Sequence, residues 1–340
     1  MPAVTLTAVA RLAGVSTSTA SRALTGHQSV LPDTRDRVLA AAASLRYRPN
    51  RMAMALRTRR TGLIGLVVNN LWNGTFSTIA ETLQRWGAAE GYQVLVCSTG
   101  GDAKREAAFL DTVAEHRFDG VVVAGSGQNV DRVNRLLETG AAVVTMNREV
   151  PGSQAPSVLP DYAVGARLAT EHLLALGHRR IAVVGGLDRF TSGRLHHSGY
   201  VEAMGAAGLP ADPTLVRRGP FTQEFGRQAA GELLDLRGLP TALLVSNHEA
   251  SFGVLPVLSE RDTDIPGRLS VLLTEDEPFF GWWHPALSVV DNRAEFMART
   301  AVDLLVAQLP EAESHVRAGG IGERVQPVLV QRSSTAPPAG

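Results

Sequence analysis

At 340 residues, with 44% hydrophobic and 19% charged residues, the chain has the composition of a soluble globular protein too long for one ordinary core. No apolar run reaches the length of a bilayer span, no leader of charged then apolar residues opens the chain, and Cys97 as the only cysteine excludes an intrachain disulfide or a cysteine-built metal site. Net charge is zero, but residues 1–60 hold ten arginines against Asp33 and Asp36, a net +8, which leaves −8 on the remaining 280 residues. A basic head on an acidic body points to a polyanion partner for the head alone, in a protein expected in the cytoplasm.

The head opens with LTAVARLAGVSTSTASRAL, residues 6–24. Leu6, Val9, Ala10 and Ala13 recur at helical spacing, with Thr5 or Thr7 as the cap and Gly14 as a left-handed stop. Ser16 is a ready cap for a second helix from Thr17 to Leu24. Two short helices joined by a glycine turn form a helix-turn-helix, whose second helix can enter a major groove. The polar face of that helix, Thr17, Ser18, Thr19, Ser21 and Arg22, favours this reading over a hairpin that only packs. A third helix is expected over 33–45, with Pro32 at its first turn, Val38, Leu39, Ala42 and Leu45 inward, and Tyr47 closing the small domain.

The next segment, RPNRMAMALRTRRTG, has a break at Pro49 and a cap at Asn50, which allow a short helix through Leu56. It has too little apolar company to be stable alone, and a basic linker is the competing reading in the absence of DNA. From Leu63 onward short apolar strands alternate with helices: LIGLVV, YQVLVCST, FDGVVVAG and AAVVTMN, each followed by a helical stretch. After about Leu159 the rhythm restarts with RIAVVGG, TLVRRG, TALLVSN, RLSVLLTE, ALSVVDN and a terminal RVQPVLVQR. This is the pattern of two similar α/β units with parallel sheets and covering helices. Cys97, inside YQVLVCST, reads as a core residue, and residues 333–340 read as a disordered tail.

Taken together, TLTAVARLAGVSTSTASRAL, RDRVLAAAASLRYRPNRMAMALRTRRTGLIGLVV, GARLATEHLLALGHRRIAVVGG and VLVQRSSTAPP resemble the lactose-repressor (LacI/GalR) family of transcriptional regulators, in order, spacing and wording. The resemblance implies an all-α helix-turn-helix headpiece (1–48), a hinge helix (49–60) and a two-lobed core like a periplasmic sugar-binding protein (61–340). The first lobe would comprise about 61–160 and 291–321, the second about 161–290 and 322–332, with chain crossings near Pro160, Val289–Asn292 and Gly320–Glu323. It also implies a homodimer on a pseudo-palindromic double-stranded operator.

In that frame Arg22 donates a bidentate pair to guanine, while Thr17 and Ser18 sit at the specificity positions. Ser16, Thr19, Ser21 and Thr34 are placed for phosphates, with a local cap the competing role for Thr19 or Ser21, and Thr5 is a further DNA-binding candidate. Leu31 stands where a serine is usual. Leu56, with Asn50 and Ala53 beside it, takes the position of the leucine that wedges the minor groove at the operator's centre.

For a sugar-like effector between the lobes, the resemblance marks Asn73, Phe76 and Arg148 in the first lobe, Phe221, Asn247 and Glu275 in the second, and Asn292 at a crossing. Three departures bear on the ligand: His196 replaces an arginine, His248 an aspartate, and Glu275 an aspartate. The altered set suits a sugar, another small polar molecule, or a cleft that has lost its ligand. No phosphate loop, nucleotide fingerprint or metal-ligand spacing occurs, so neither catalysis nor a cofactor is expected. A solute-binding protein would explain the core but not the basic head.

Overall fold

In the computed structural model, residues 4–24, 29–47, 60–309 and 322–339 are described, and all that follows concerns these. The chain divides into two compact units, residues 1–61 and 62–340.

The first unit is built from helices α1 (Leu6–Ala13), α2 (Thr17–Leu24) and α3 (Pro32–Ser44). Thr5 caps α1 through its side chain, and Gly14 ends it at φ 66°, a left-handed position that a Cβ would strain. The Ser16 hydroxyl accepts the Thr19 N–H at 3.1 Å and so starts α2 within two residues of that stop. Val9, Ala10, Ala13, Ala20, Ala23, Val38, Ala41 and Ala42 form the core, with Leu6, Leu45 and Tyr47 packed against it. The small side chains let three short helices approach closely. Leu39, expected inward, is 47% exposed; the core face of α3 runs through Val38, Ala41 and Ala42 instead.

The second unit holds two six-stranded sheets. The first contains β1 (Leu63–Val68), β2 (Gln93–Ser98), β3 (Gly120–Ala124), β4 (Ala142–Met146), β5 (Ser157–Pro160) and β11 (Gly322–Val325), all parallel, in the order β11-β5-β4-β3-β1-β2. It is flanked by α4 (Gly74–Glu90), α5 (Ala103–Glu115), α6 (Val130–Glu138) and the late helix α11 (Ala294–Val306). The second contains β6 (Ile181–Gly186), β7 (Val216–Gly219), β8 (Ala242–Val245), β9 (Ser270–Thr274), β10 (Ser288–Asp291) and β12 (Val328–Val330), in the order β12-β10-β9-β8-β6-β7. Here β12 alone runs antiparallel, against β10. Its covering helices are α7 (Tyr162–Ala175), α8 (Thr191–Ala206), α9 (Gln223–Leu234) and α10 (His248–Glu260). The inner strands are buried on both faces and read as unbroken apolar runs, as parallel strands do.

Three expectations need correction. The last crossing between lobes falls at Gln326–Pro327, because β11 joins the first sheet and β12 the second; residues 322–325 therefore belong to the first lobe. Proline cannot donate to a ladder, and Pro327 splits RVQPVLVQR into two strands. Cys97 is only half-buried, because β2 is the edge of its sheet. The segment 333–339, expected to be disordered, is a packed strap. The Ser334 hydroxyl donates to Val271 O and accepts the Ser288 N–H at 2.8 Å, and the Ser270 hydroxyl donates to Ala336 O at 3.0 Å. Buried His178 lies 2.9 Å from the same carbonyl.

Candidate functional sites: the helix-turn-helix face and the interlobe cleft

On the first unit, Thr17, Ser18 and Arg22 stand exposed on one face of α2, while Ala20, Ser21 and Ala23 turn into the core. The Arg22 Nε lies 3.4 Å from Ser18 O, which aligns its side chain along that face. Ser16 is exposed, with its hydroxyl 2.8 Å from both the Ser18 and Thr19 hydroxyls, so these three form one hydroxyl cluster at the start of α2. Thr5 is exposed at the α1 cap and Thr34 half-buried in the first turn of α3. Ser21 is only 7% exposed and belongs to the domain's packing, not to a phosphate-facing surface. Asn50, Ala53 and Leu56 lie outside the described residues.

In the second unit, the strand ends carry two residues in the left-handed region, Asn147 at φ 64° after β4 and Glu275 at φ 68° after β9. Neither is glycine, and such strain gathers where side chains must be aimed at a site. Around them the lobes meet in two clusters.

The first cluster is aromatic. Arg148 lies 4.7 Å over the Phe190 ring, which stacks on Phe221 with centroids 5.3 Å apart. Burial lowers the Arg148 pKa, the cost of a guanidinium facing rings instead of water. The Tyr162 hydroxyl reaches the Asn147 carbonyl and its Oδ1, at 2.5 and 2.9 Å. His196, 6% exposed, packs edge-on to Tyr162 at 4.9 Å, and its Nδ1 has no partner among the described residues. Burial pulls His196 down to about 4, with the nearby Ser192 backbone only partly opposing it. It is therefore a neutral imidazole where the resemblance implies a fixed cation.

This sets a pH dependence. The unfolded chain takes up the His196 proton near pH 6.5 and the folded chain only near 4, so stability present above pH 6.5 is lost as pH falls through that window. The full shift corresponds to about 3 kcal/mol. His172 and His178 are also lowered by burial and add in the same direction. Between pH 7 and 4 the thermal midpoint of wild type should fall relative to that of His196→Phe; parallel curves would show that His196 does not contribute.

The second cluster is acidic and clasps the start of α4. Asn73 caps α4 and donates to Glu275 at 3.1 Å, while the Thr75 hydroxyl donates to the same oxygen at 3.4 Å. The Gly74 N–H donates to Glu277 at 2.7 Å, and a Cβ at Gly74 would stand 2.5 Å from that carboxylate, so the approach needs glycine. Asn70 donates to Glu249 at 2.8 Å, and Trp72 packs edge-on against Phe252 at 5.5 Å. His248, 1% exposed, places Nε2 2.7 Å from Glu277 Oε1, an ion pair angled away from a straight hydrogen bond. Burial opposes charge on His248, but Glu277, Glu275 and Glu249 together outweigh it and raise its pKa. Burial likewise raises Glu275 and Glu249.

Of the residues marked from the sequence, Asn73 and Glu275 meet directly, Asn247 caps α10, and Asn292 lines a pocket beside Glu275. Phe76 departs from its expected role: it is 4% exposed within the first lobe's core, beside Ile79 and Leu83. Unmarked residues complete the site. Phe190 and Tyr162 precede or open helices at the lobe boundary, and Glu277 lies in the acidic run EDEP, the one local signal that pointed to it.

A family model for bacterial regulatory proteins of the lacI family matches residues 5–50, and one for a periplasmic binding protein-like domain matches residues 170–335. An HTH-type transcriptional regulator from the aml 5′ region of Streptomyces limosus is 35% identical over 338 residues, 96% of this chain and 93% of that one. The chain belongs to the lacI family. The lac repressor dimer bound to operator and the anti-inducer ONPF superimposes with a TM-score of 0.82 at 25% identity, covering 98% of this chain and 99% of the other. The transcriptional regulator CelR in complex with cellobiose gives 0.71 at 29% identity, covering 97% and 99%. Both solved relatives are regulators, and among the described residues of this chain no helix is long and apolar enough to cross a membrane.

Proposed function

We propose that this lacI-family chain is a cytoplasmic, homodimeric repressor that reads a pseudo-palindromic operator and is controlled by a small polar effector held between its lobes. One observation carries the DNA-binding half: α2 follows a three-residue turn and presents Thr17, Ser18 and Arg22 outward while its alanines pack inward. Short hydroxyls read at close range and Arg22 supplies a two-pronged donor, so this face specifies sequence. The +8 head supplies the phosphate-directed term, so affinity should fall steeply with salt. The lac repressor's operator complex supports the same docking, and CelR's cellobiose supports a sugar-class effector.

Control follows from the clasped lobes. An effector that binds one lobe arrangement more tightly than the other shifts the arrangement and, through the hinge, operator affinity. Selection from random DNA with the full-length chain, followed by gel shifts, tests the reading. A palindromic motif bound by a dimer is expected, whereas retention of DNA without any sequence preference would defeat it. Leu56→Ser should weaken specific binding while leaving the thermal midpoint unchanged, and unaltered operator affinity would remove Leu56 from the minor groove.

A further inference from the structure

We infer that the acidic end of the cleft is built for an effector bearing a protonated amine on a hydroxylated frame, which rests on the effector reading above. A pocket of about 380 Å³ opens between the start of α4 and the ends of β9 and β10, within the size range of small-ligand sites. Glu275, Asp276, Glu277 and Asp291 line it, and its lining includes no lysine or arginine.

Two of these charges are answered from within. Arg332 grips Asp276 with both nitrogens, at 3.0 and 2.6 Å, and Glu277 has the Gly74 N–H and His248. The other two are not. Glu275 receives only the neutral donors Asn73 and Thr75, and the bond found for Asp291 is from the Arg293 backbone N–H at 2.7 Å. Neither has a cation within ion-pair distance among the described residues.

An independent observation marks the same space as a ligand site. Asn292 lines the pocket, is only 5% exposed, and its side-chain amide finds no partner among the described residues. An amide that lines a pocket without a protein partner is available to bond a guest.

Donor and acceptor bookkeeping then selects the ligand. The walls offer a surplus of charged acceptors and few donors, so the guest must donate. An ammonium brings three donors, no acceptor and the missing positive charge. The hydroxyls of Thr75 and Thr78 and the Asn292 amide donate or accept as required, which suits hydroxyl groups on the same molecule. A neutral polyol would fill the hydrogen bonds but bring no positive charge to offset the burial that disfavours the Glu275 carboxylate. A phosphorylated guest would bring like charge against like. Among the described residues no three acidic, cysteine or histidine side chains are placed together to hold a metal ion.

The test uses the full-length chain and matched compounds: D-glucosamine and D-galactosamine, the neutral D-glucose, D-galactose and N-acetyl-D-glucosamine, and glucose 6-phosphate. Thermal shift and calorimetry read binding, and gel shifts read the operator response. Amines are expected to raise the midpoint and bind at least about tenfold more tightly than their neutral partners, the worth of one charge-assisted hydrogen bond. Glu275→Gln and Asp291→Asn should each erase that preference; asparagine keeps an acceptor for the Arg293 N–H, so the second variant retains the local turn. Equal or better binding by neutral or phosphorylated compounds overturns the inference and leaves the effector cleft standing. No midpoint or operator response to any compound overturns both.

Discussion

Arg22→Ala is expected to lower operator affinity about 5- to 150-fold, the worth of one good bidentate base contact, about 1–3 kcal/mol. The residue sits on the outer face of α2, four positions after Ser18, while Ala20, Ser21 and Ala23 anchor the other side. The packing carried by Ala20, Ser21 and Ala23 should therefore survive the change. Loss should concentrate on the operator, with binding to unrelated DNA falling only by the share of one charge and the salt slope nearly preserved. Arg22→Lys separates charge from geometry, because lysine keeps the cation but lacks the planar fork. It should resemble alanine on the operator and wild type on unrelated DNA. Anisotropy titrations with both DNAs measure this, and equal losses on the two would make Arg22 a phosphate contact instead.

How much of this was legible in the chain depends on the range of the interaction. Thr5, Gly14 and Ser16 act within three residues of themselves, so the caps and the stop of the helix-turn-helix follow from local chemistry. The apolar strand runs likewise announce parallel strands buried on both faces. Leu39 shows the next limit: periodicity gives a helix but fixes its rotation only to within a residue, while Phe76 shows that a pocket position implied by resemblance can be occupied by a core side chain. The split of RVQPVLVQR at Pro327 was visible as a proline, yet which sheet each half joins depends on pairing with β5 and β10, both distant in sequence. The strap at 333–339 is rich in serine, alanine and proline and carries no hydrophobic pattern. It is held by hydroxyl bonds to Val271 and Ser288, which composition does not reveal. The cleft lies furthest from local reading, because Gly74 and Glu277 meet across 203 residues.

That contact supports the other large effect. Glu277→Ala is expected to destabilise the two-lobed unit by about 3 kcal/mol, since removing one member of a buried ion pair strands the other. His248 would remain buried without its nearest carboxylate, and the Gly74 N–H at the head of α4 would lose its acceptor. For a unit of this size the thermal midpoint should drop about 6–12 °C. The loss should also depend on pH in a definite direction. The folded pKa of His248 is raised, so the pair's stabilisation is fully present below the unfolded value near 6.5 and fades as pH climbs through the raised value. The gap between wild type and Glu277→Ala should therefore be widest in mild acid and narrow in alkali, where both proteins carry a neutral imidazole. Glu277→Gln retains an acceptor for Gly74 and loses only the charge, so its deficit should be smaller and should vanish as His248 deprotonates. Midpoints of the three proteins across pH 5.5–9 distinguish this from a simple packing defect, which would produce a gap independent of pH. The same tie spans the lobes, with Gly74 on the first and Glu277 and His248 on the second. Its loss should accordingly shift the lobe equilibrium and alter operator affinity without touching the DNA-reading face.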